Sequence, residues 1–399
     1  MKLLFLLFIF SDTLHLNYEQ AEARFLSQNL GLMAEKMKIS EAEARKQQAN
    51  LWPNPSFTFD QINVYNPRGQ EAVPPLWGAF GRNRQFAMEL EQWIRTAGKR
   101  KKEQLLLSSA VRLEEVNFAE VLWEAKTALR KQLAEAEFLE EEKTLWTQRY
   151  EETQSLYERL SAQVKLGNIP KKDQIRLQAY VFELEQTRNA LDYAITESQG
   201  NLRKWLNTDA FLKISDPLFK SILDTTMLQQ RPDLRFVQES QIYYAENLKV
   251  QKAQKIPDVQ LKLQYDRNGS TMLNFLGIGA SMELPLWDRK QGSIREAEIG
   301  VRKAEYQAQQ TLKKALTERE VAQSNYTRAV QQYERFSPAI IVEQREQLEN
   351  FQKHFLDKST SMLAYLDFAE SSLKFSHHYL QARKEVRVRQ IELQHALGL

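Results

Sequence analysis

Cysteine is absent from this 399-residue chain, which excludes a disulfide framework, thiolate catalysis and a lipid-modified N-terminal cysteine. Glycine (13) and proline (11) are scarce, a balance that favours long helices over a compact, loop-rich enzyme. Neither sign of charge dominates. The 55 basic and 52 acidic side chains leave a net charge of +3, and they are interspersed rather than gathered into a stripe, so no nucleic acid partner is expected. No apolar run approaches the roughly 20 residues that carry a helix across a bilayer, so any membrane crossing falls to strands. Histidines are few: His15, His354, His377, His378 and His395. The adjacent pair His377 and His378 points about 100° apart on a helix and does not form a chelating pair. Nucleophile elbows, phosphate-binding glycine loops and zinc signatures are missing, and Glu140, Glu141 and Glu142 read as solvated helix surface. A non-enzyme without cofactor or metal is the expectation.

What the chain does contain occurs twice. A short alternating β pair lies between long Gln/Glu/Ala/Leu-rich helices, and the arrangement recurs about 190 to 200 residues later. In the first copy Pro53 and Pro55 precede a strand, Glu89-Leu90-Glu91-Gln92-Trp93 closes the next, and Gly98-Lys99 opens a helix. The second copy runs Pro257, Glu283-Leu284-Pro285-Leu286-Trp287, Gly292. Met1-Lys2 and the apolar run Leu3 to Phe10 read as an export signal over 1–11. The first repeat is expected at 17–207: one helix from Tyr18 to about Asn50, a β-hairpin at about 54–93, a long helix at 98–166 and a return helix at 171–207. An irregular connector follows at 208–230. The second repeat, 231–399, is expected to hold a helix, a β-hairpin at about 257–287, a long helix at 288–355 kinked or broken near Pro338, and a return helix at 361–397. At 1.5 Å per residue the longest helix is roughly 100 Å. Helices of that length bury their apolar stripes side by side, as antiparallel coiled coils.

The strands alternate. Val259, Leu261, Leu263 and Tyr265 share one face and Gln260, Lys262, Gln264 and Asp266 the other; Phe86, Met88 and Leu90 alternate with Ala87, Glu89 and Glu91. Aromatic residues gather toward the strand ends (Trp52, Tyr65, Trp77, Phe80, Trp93, Tyr265, Trp287), as a membrane-interface girdle requires. Four strands cannot close a barrel, and an open edge in hydrocarbon leaves backbone groups unpaired. A barrel must then be shared among chains, and both a dimer and a trimer give an even strand number.

These features together, in this order, resemble the TolC family of outer-membrane efflux ducts over nearly the whole chain. The resemblance is carried by the duplicated plan, by Arg231-Pro232-Asp233-Leu234 at the start of the second copy, and by the segments Leu166-Gly167-Asn168-Ile169-Pro170 and Ser359-Thr360-Ser361-Met362-Leu363-Ala364-Tyr365-Leu366-Asp367. Leu51-Trp52-Pro53-Asn54-Pro55 is most similar to the cobalt-zinc-cadmium (CzcC-like) branch. The implied fold is mainly α with a small β part: an α-barrel of long helices plus four strands per protomer in a shared transmembrane β-barrel, closed as a homotrimer with twelve strands in outer-membrane lipid of a Gram-negative bacterium. Also implied are docking of the two helix turns (Gly167, Asn168, Ile169, Pro170, Lys171, Lys172, Lys358, Ser359) on a periplasmic membrane-fusion adaptor, and an inner-membrane pump of the RND type. Asp367 and Asp173 match aspartates that line or lock the gate of family members. At the positions of their Arg and Tyr partners this chain has Thr360 and Phe355, a departure from the salt-bridged lock.

Passive export of heavy-metal cations is the function that follows. A multidrug or type I protein-secretion duct is the alternative within transport. A soluble coiled-coil scaffold is the alternative of another class.

Overall fold

A computed structural model of the chain describes residues 13–60, 86–214, 231–267, 272–356 and 360–399. The expected export signal, the turns at 66–69 and 74–75, and Tyr65, Trp77, Phe80, Lys358 and Ser359 lie outside the described residues. In chain order the elements are β1 (Thr13–Leu16), α1 (Tyr18–Gln28), α2 (Leu30–Ala49), β2 (Ser56–Asp60), β3 (Phe86–Ile94), α3 (Lys99–Lys165), α4 (Lys171–Leu206), β4 (Phe211–Ile214), α5 (Pro232–Gln254), β5 (Val259–Arg267), β6 (Asn274–Met282), α6 (Gln291–Tyr333), α7 (Pro338–Leu356) and α8 (Met362–Ala396). The molecule is mainly helical, and α3 alone runs for 67 residues. Its described residues fall into two units. The first takes those of Met1–Glu35, Ala119–Pro232 and Leu312–Leu399; the second takes those of Lys36–Phe118 and Asp233–Thr311.

The first unit is a helical assembly whose core is leucine-rich. Leu129, Leu133, Leu156, Leu160, Leu177, Leu184, Leu202 and Leu206 are all fully enclosed, each contributing about 2 kcal/mol by removal from water. The helix expected from Tyr18 to Asn50 is two helices. Asn29 sits between them in an extended conformation; its Oδ1 accepts from Leu32 N at 2.9 Å and its Nδ2 donates to Trp205 O at 2.9 Å. One side chain thus caps the new helix and ties it to the end of α4.

A second departure is a parallel two-stranded sheet, β1 on β4, with Thr13 opposite Phe211 and Leu16 opposite Ile214. Part of the expected irregular connector is therefore a strand. Buried Gln199 brackets it, donating to Leu212 O at 2.7 Å and accepting from Leu212 N at 3.0 Å, so both backbone groups of a fully buried residue are paired.

Pro338 produces a break rather than a bend. α6 ends at Tyr333 and α7 begins with Pro338, where the missing amide proton is one that a first helical turn leaves unpaired anyway. The break is clasped by aromatic rings: Tyr333 stacks on Tyr379 at 5.6 Å, and Phe336 meets Phe375 at 5.4 Å and Tyr379 at 6.0 Å. Arg231 is the largest fully buried side chain of the unit. It donates to Ala396 O at 3.1 Å at the end of α8, pairs with Glu318 at 2.8 Å, and lies 5.1 Å from the centre of the Trp123 ring.

The second unit holds the four-stranded antiparallel sheet, in the order β2-β3-β5-β6. β3 and β5 pair over nine residues, from Phe86 opposite Arg267 to Ile94 opposite Val259. β6 stops at Met282, short of the expected hairpin end at about 287, because Pro285 has no amide proton to extend a ladder and Leu286 N turns back to Leu284 O at 2.9 Å. Lys99, whose side chain is 6% exposed, meets Asp258 at 2.8 Å where α3 leaves the sheet.

One half-buried acid of the first unit yields a pH-dependent expectation. Glu392 accepts from Lys131 Nζ at 2.8 Å and from Arg389 Nη1 at 2.6 Å. Burial opposes its charge, but the two cations outweigh burial and hold the carboxyl below its ordinary range. A depressed carboxyl stabilises the fold above its unfolded value of about 4.3, and the contribution fades as pH falls through the folded value. Glu392→Gln should therefore lower the thermal midpoint at neutral pH, and the deficit should shrink on acidification. A deficit equal at all pH values would show that packing, not charge, explains it.

Candidate channel-forming sheet and helical tip

The two faces of the sheet differ in kind. The observed register places Phe57 and Phe59 of β2, Met88, Leu90 and Ile94 of β3, Val259, Leu261, Leu263 and Tyr265 of β5, and Leu276, Ile278, Ala280 and Met282 of β6 on one side. Much of that side is exposed within the protomer: Ile278 is 87% and Leu276 71% exposed. The opposite side, which also holds Ala87, Trp93 and Phe275, carries a connected polar layer. Lys262 pairs with Glu89 at 3.0 Å and also with Glu91; Gln260 Nε2 donates to Glu91 at 2.7 Å; and Ser281 Oγ donates to Gln260 at 3.0 Å. Among the described residues of this face Glu89, Glu91 and Asp266 accompany one cation, Lys262. Alternation puts every second residue on each side, so the sequence of each strand alone produces both faces.

Aromatic side chains mark the two ends of the strands. Trp52, which precedes β2, Trp93 near the end of β3, and Trp287, which follows β6, belong to the end joined to helices, with exposures of 61%, 39% and 86%. At the other end Phe86 lies 5.7 Å from Phe59 and 6.1 Å from Tyr265. β5 and β6 are nine residues each, the length of a tilted membrane-spanning strand. Among the described residues β2 and β6 are the sheet edges.

In the first unit two helix turns gather at a shared core. Leu156 and Leu160 of α3, Leu177, Tyr180 and Leu184 of α4, Leu348 and Phe355 of α7, and Met362, Tyr365, Leu366, Ala369 and Leu373 of α8 form one cluster, with Ile169 packed against it. α3 ends on Gly167 at φ +77°: Gly167 N donates to Val164 O and Asn168 N to Gln163 O, both at 3.0 Å, the closure that a left-handed residue permits. Gly167, Asn168, Pro170, Lys171 and Lys172 are exposed. Asp173 is half-buried in the first turn of α4, where a carboxylate complements the helix dipole. Ser361 caps α8 by accepting from Ala364 N at 3.2 Å. Burial pushes the Tyr365 phenol up to about 12 and raises that of Tyr180 as well.

The comparisons agree on architecture. The CmeC outer membrane channel of Campylobacter jejuni superposes with a TM-score of 0.79 at 14% identity, covering 96% of this chain and 85% of that one. CusC, solved in work on folding and transmembrane channel formation, gives 0.76 at 15% identity over 96% and 92%. The outer membrane protein VceC of Vibrio cholerae gives 0.75 at 16% identity over 96% of each chain. The fold is that of the TolC-like outer-membrane channels. No family profile and no curated relative matches the sequence.

Against this TolC-like fold the expected gate residues separate. Asp367 is exposed on α8 and Thr360 is half-buried, whereas Phe355 is 5% exposed with its ring 6.1 Å from Tyr365. Neither Asp173 nor Asp367 makes an ion pair with a described residue. His377 Nδ1 lies 3.0 Å from Glu142, and no metal-holding group of three His, Cys, Asp or Glu occurs among the described residues. The polar layer on Lys262 escapes a reading of single strands, because its partners come from β3 and β5, about 170 residues apart in sequence. The opposite-charge pattern at facing positions was its available signal. Replacing Phe355 with alanine should cost about 3 to 5 kcal/mol and speed amide exchange at both helix turns. Unchanged exchange around 166–170 would show that the turns do not share one core.

Proposed function

We propose that the chain is the outer-membrane component of a tripartite efflux system, a homotrimer whose twelve strands close one barrel and whose helices line a water-filled path from the periplasm to the exterior. The observation that carries this reading is the open four-stranded sheet with one connected polar face and one exposed apolar face. Such a sheet is stable where the apolar face meets lipid and sister copies pair its edges. The duplicated order of helix, two strands and two long helices supports the same reading, since two copies supply an even set of strands. A periplasmic adaptor docks on the exposed turn at Gly167, Asn168, Pro170, Lys171 and Lys172, and an inner-membrane pump supplies the energy. The chain itself performs no catalysis. The acid excess among the described residues of the polar face, Glu89, Glu91 and Asp266 to Lys262, favours cationic cargo, in keeping with heavy-metal export.

Lipid contact is tested at Ile278. Ile278→Arg should destabilise the folded protein in bilayers by about 2 to 4 kcal/mol, the cost of a basic side chain at mid-membrane depth. A water-facing sheet would accept the same change at almost no cost, because Ile278 is already exposed. Equal stability of the variant and the parent in vesicles would overturn the membrane reading.

The gate is tested at Asp367, which three-fold symmetry turns into a ring of three carboxylates. Asp367→Asn should weaken cation block and cation selectivity of single channels in a planar bilayer. Unchanged conductance and block would remove Asp367 from the gate.

A further inference from the structure

Within the first unit, a cleft of about 420 Å³ opens between α3, α7 and α8. A gap between packed helices is ordinarily filled by apolar side chains, yet this one is lined by four cations, Arg149, Arg159, Arg345 and Lys353, against two carboxylates, Glu152 and Glu349. Arg149 is the informative residue. It is 9% exposed, its Nε is enclosed without a hydrogen-bond partner, and its ion pair with Glu152 is a single contact at 3.3 Å to a side chain that is 43% exposed. The Glu152 carboxylate also accepts from Gln148 at 2.9 Å.

A buried guanidinium is well compensated when two of its donors meet one acceptor group in parallel, and a charge removed from water without such pairing is costly. Water satisfies a donor but does not supply the missing charge. Around Arg149, Arg345 and Lys353 are exposed and form no ion pair with a described residue. Tyr365 and Ser372, both buried, add hydroxyl groups to the lining. The volume lies in the usual range for small-molecule sites.

We propose that this cleft binds a small multivalent oxyanion of the phosphate or polycarboxylate class, with Arg149 as the buried anchor and Arg159, Arg345 and Lys353 as the surrounding charge. The consequence is mechanical. α7 follows the break at 334–337 and contributes Arg345, Lys353 and the core residue Phe355, while Arg149 belongs to α3, so an anion held by both adds a tie between this segment and the long helix. This site stands independently of the channel reading, since all of its residues belong to one protomer.

The test uses the full detergent-solubilised chain, with thermal unfolding followed during titration by inorganic phosphate and by citrate at ionic strength held constant with chloride. A saturable rise in midpoint of about 2 °C or more is expected with at least one of the two anions. Arg345→Gln, a surface change, should weaken the apparent affinity at least tenfold, and Arg149→Met should abolish saturation. Amide exchange over 338–356 should slow when the anion is present. No saturable response, an equal response to chloride, or an unchanged affinity in Arg345→Gln and in Arg345→Gln/Lys353→Gln would each overturn the proposal. If the change Arg149→Met prevents folding, the two rim variants decide alone. A response only to an added acidic helical peptide, and to neither small anion, would assign the cleft to a partner protein and overturn it equally.

Discussion

A sheet with four strands has two edges, and hydrocarbon offers nothing to an unpaired backbone group. In the proposed membrane setting, that constraint governs the β part of this chain. The ladder pairs β5 along its whole length on both sides, and the apolar side chains of the sheet stand exposed in the isolated protomer, Ile278 and Leu276 most of all. In water such a face is an aggregation hazard. In lipid it is the stable arrangement, provided that the edges are paired by other copies. The layer on Lys262, Glu89, Glu91 and Gln260 gives the opposite face the polarity that suits water rather than lipid.

The helices obey a different economy. They are long and their residues are mostly charged or polar, so each presents only a narrow stripe for burial. α6 shows how narrow: its buried residues are Ala297, Ala304, Ala315, Ala322 and Ala329, spaced by seven or eleven, a seam that lets helices approach closely. Large buried side chains lie elsewhere: in the cluster at the helix turns, in the rings around the break at 334–337, and along α3 and α4 at Leu129, Leu133, Leu202 and Leu206. α6 is therefore held by a thin line of small residues and by surface charge pairs of modest worth.

How much of this was legible depended on the range of the interaction. The alternation of Val259, Leu261, Leu263 and Tyr265 against Gln260, Lys262 and Gln264 is a local pattern, and it survives in β5 as read. The glycine and proline signals at Gly167 and Pro338 are local too, and each marks an observed helix boundary. The break at Asn29 was hidden because apolar spacing continues through Leu30 and Met33; only the reach of Asn29 to Trp205 O, a distant residue, reveals it. β1 and β4 are four residues each, too short for a periodicity, and their partnership joins the two ends of the first half of the chain. Arg149 read as one more charged residue on a charged helix, and nothing in its neighbourhood of sequence announces that three helices enclose it.

The separation of Phe355 from Asp367 follows from the same distinction. Both were drawn to the gate by resemblance, but an aromatic ring and a carboxylate answer to different solvents. Phe355 packs beside Tyr365 and Met362, where its removal from water stabilises the turn, while Asp367, two residues beyond Tyr365, is turned outward by helical geometry. The core residue fixes where the end of α8 stands, and the exposed one inherits that position. The hydrophobic cluster therefore sets the geometry of this helix end within the protomer, and a gate at Asp367, as proposed, would take its position from that cluster rather than from a salt bridge.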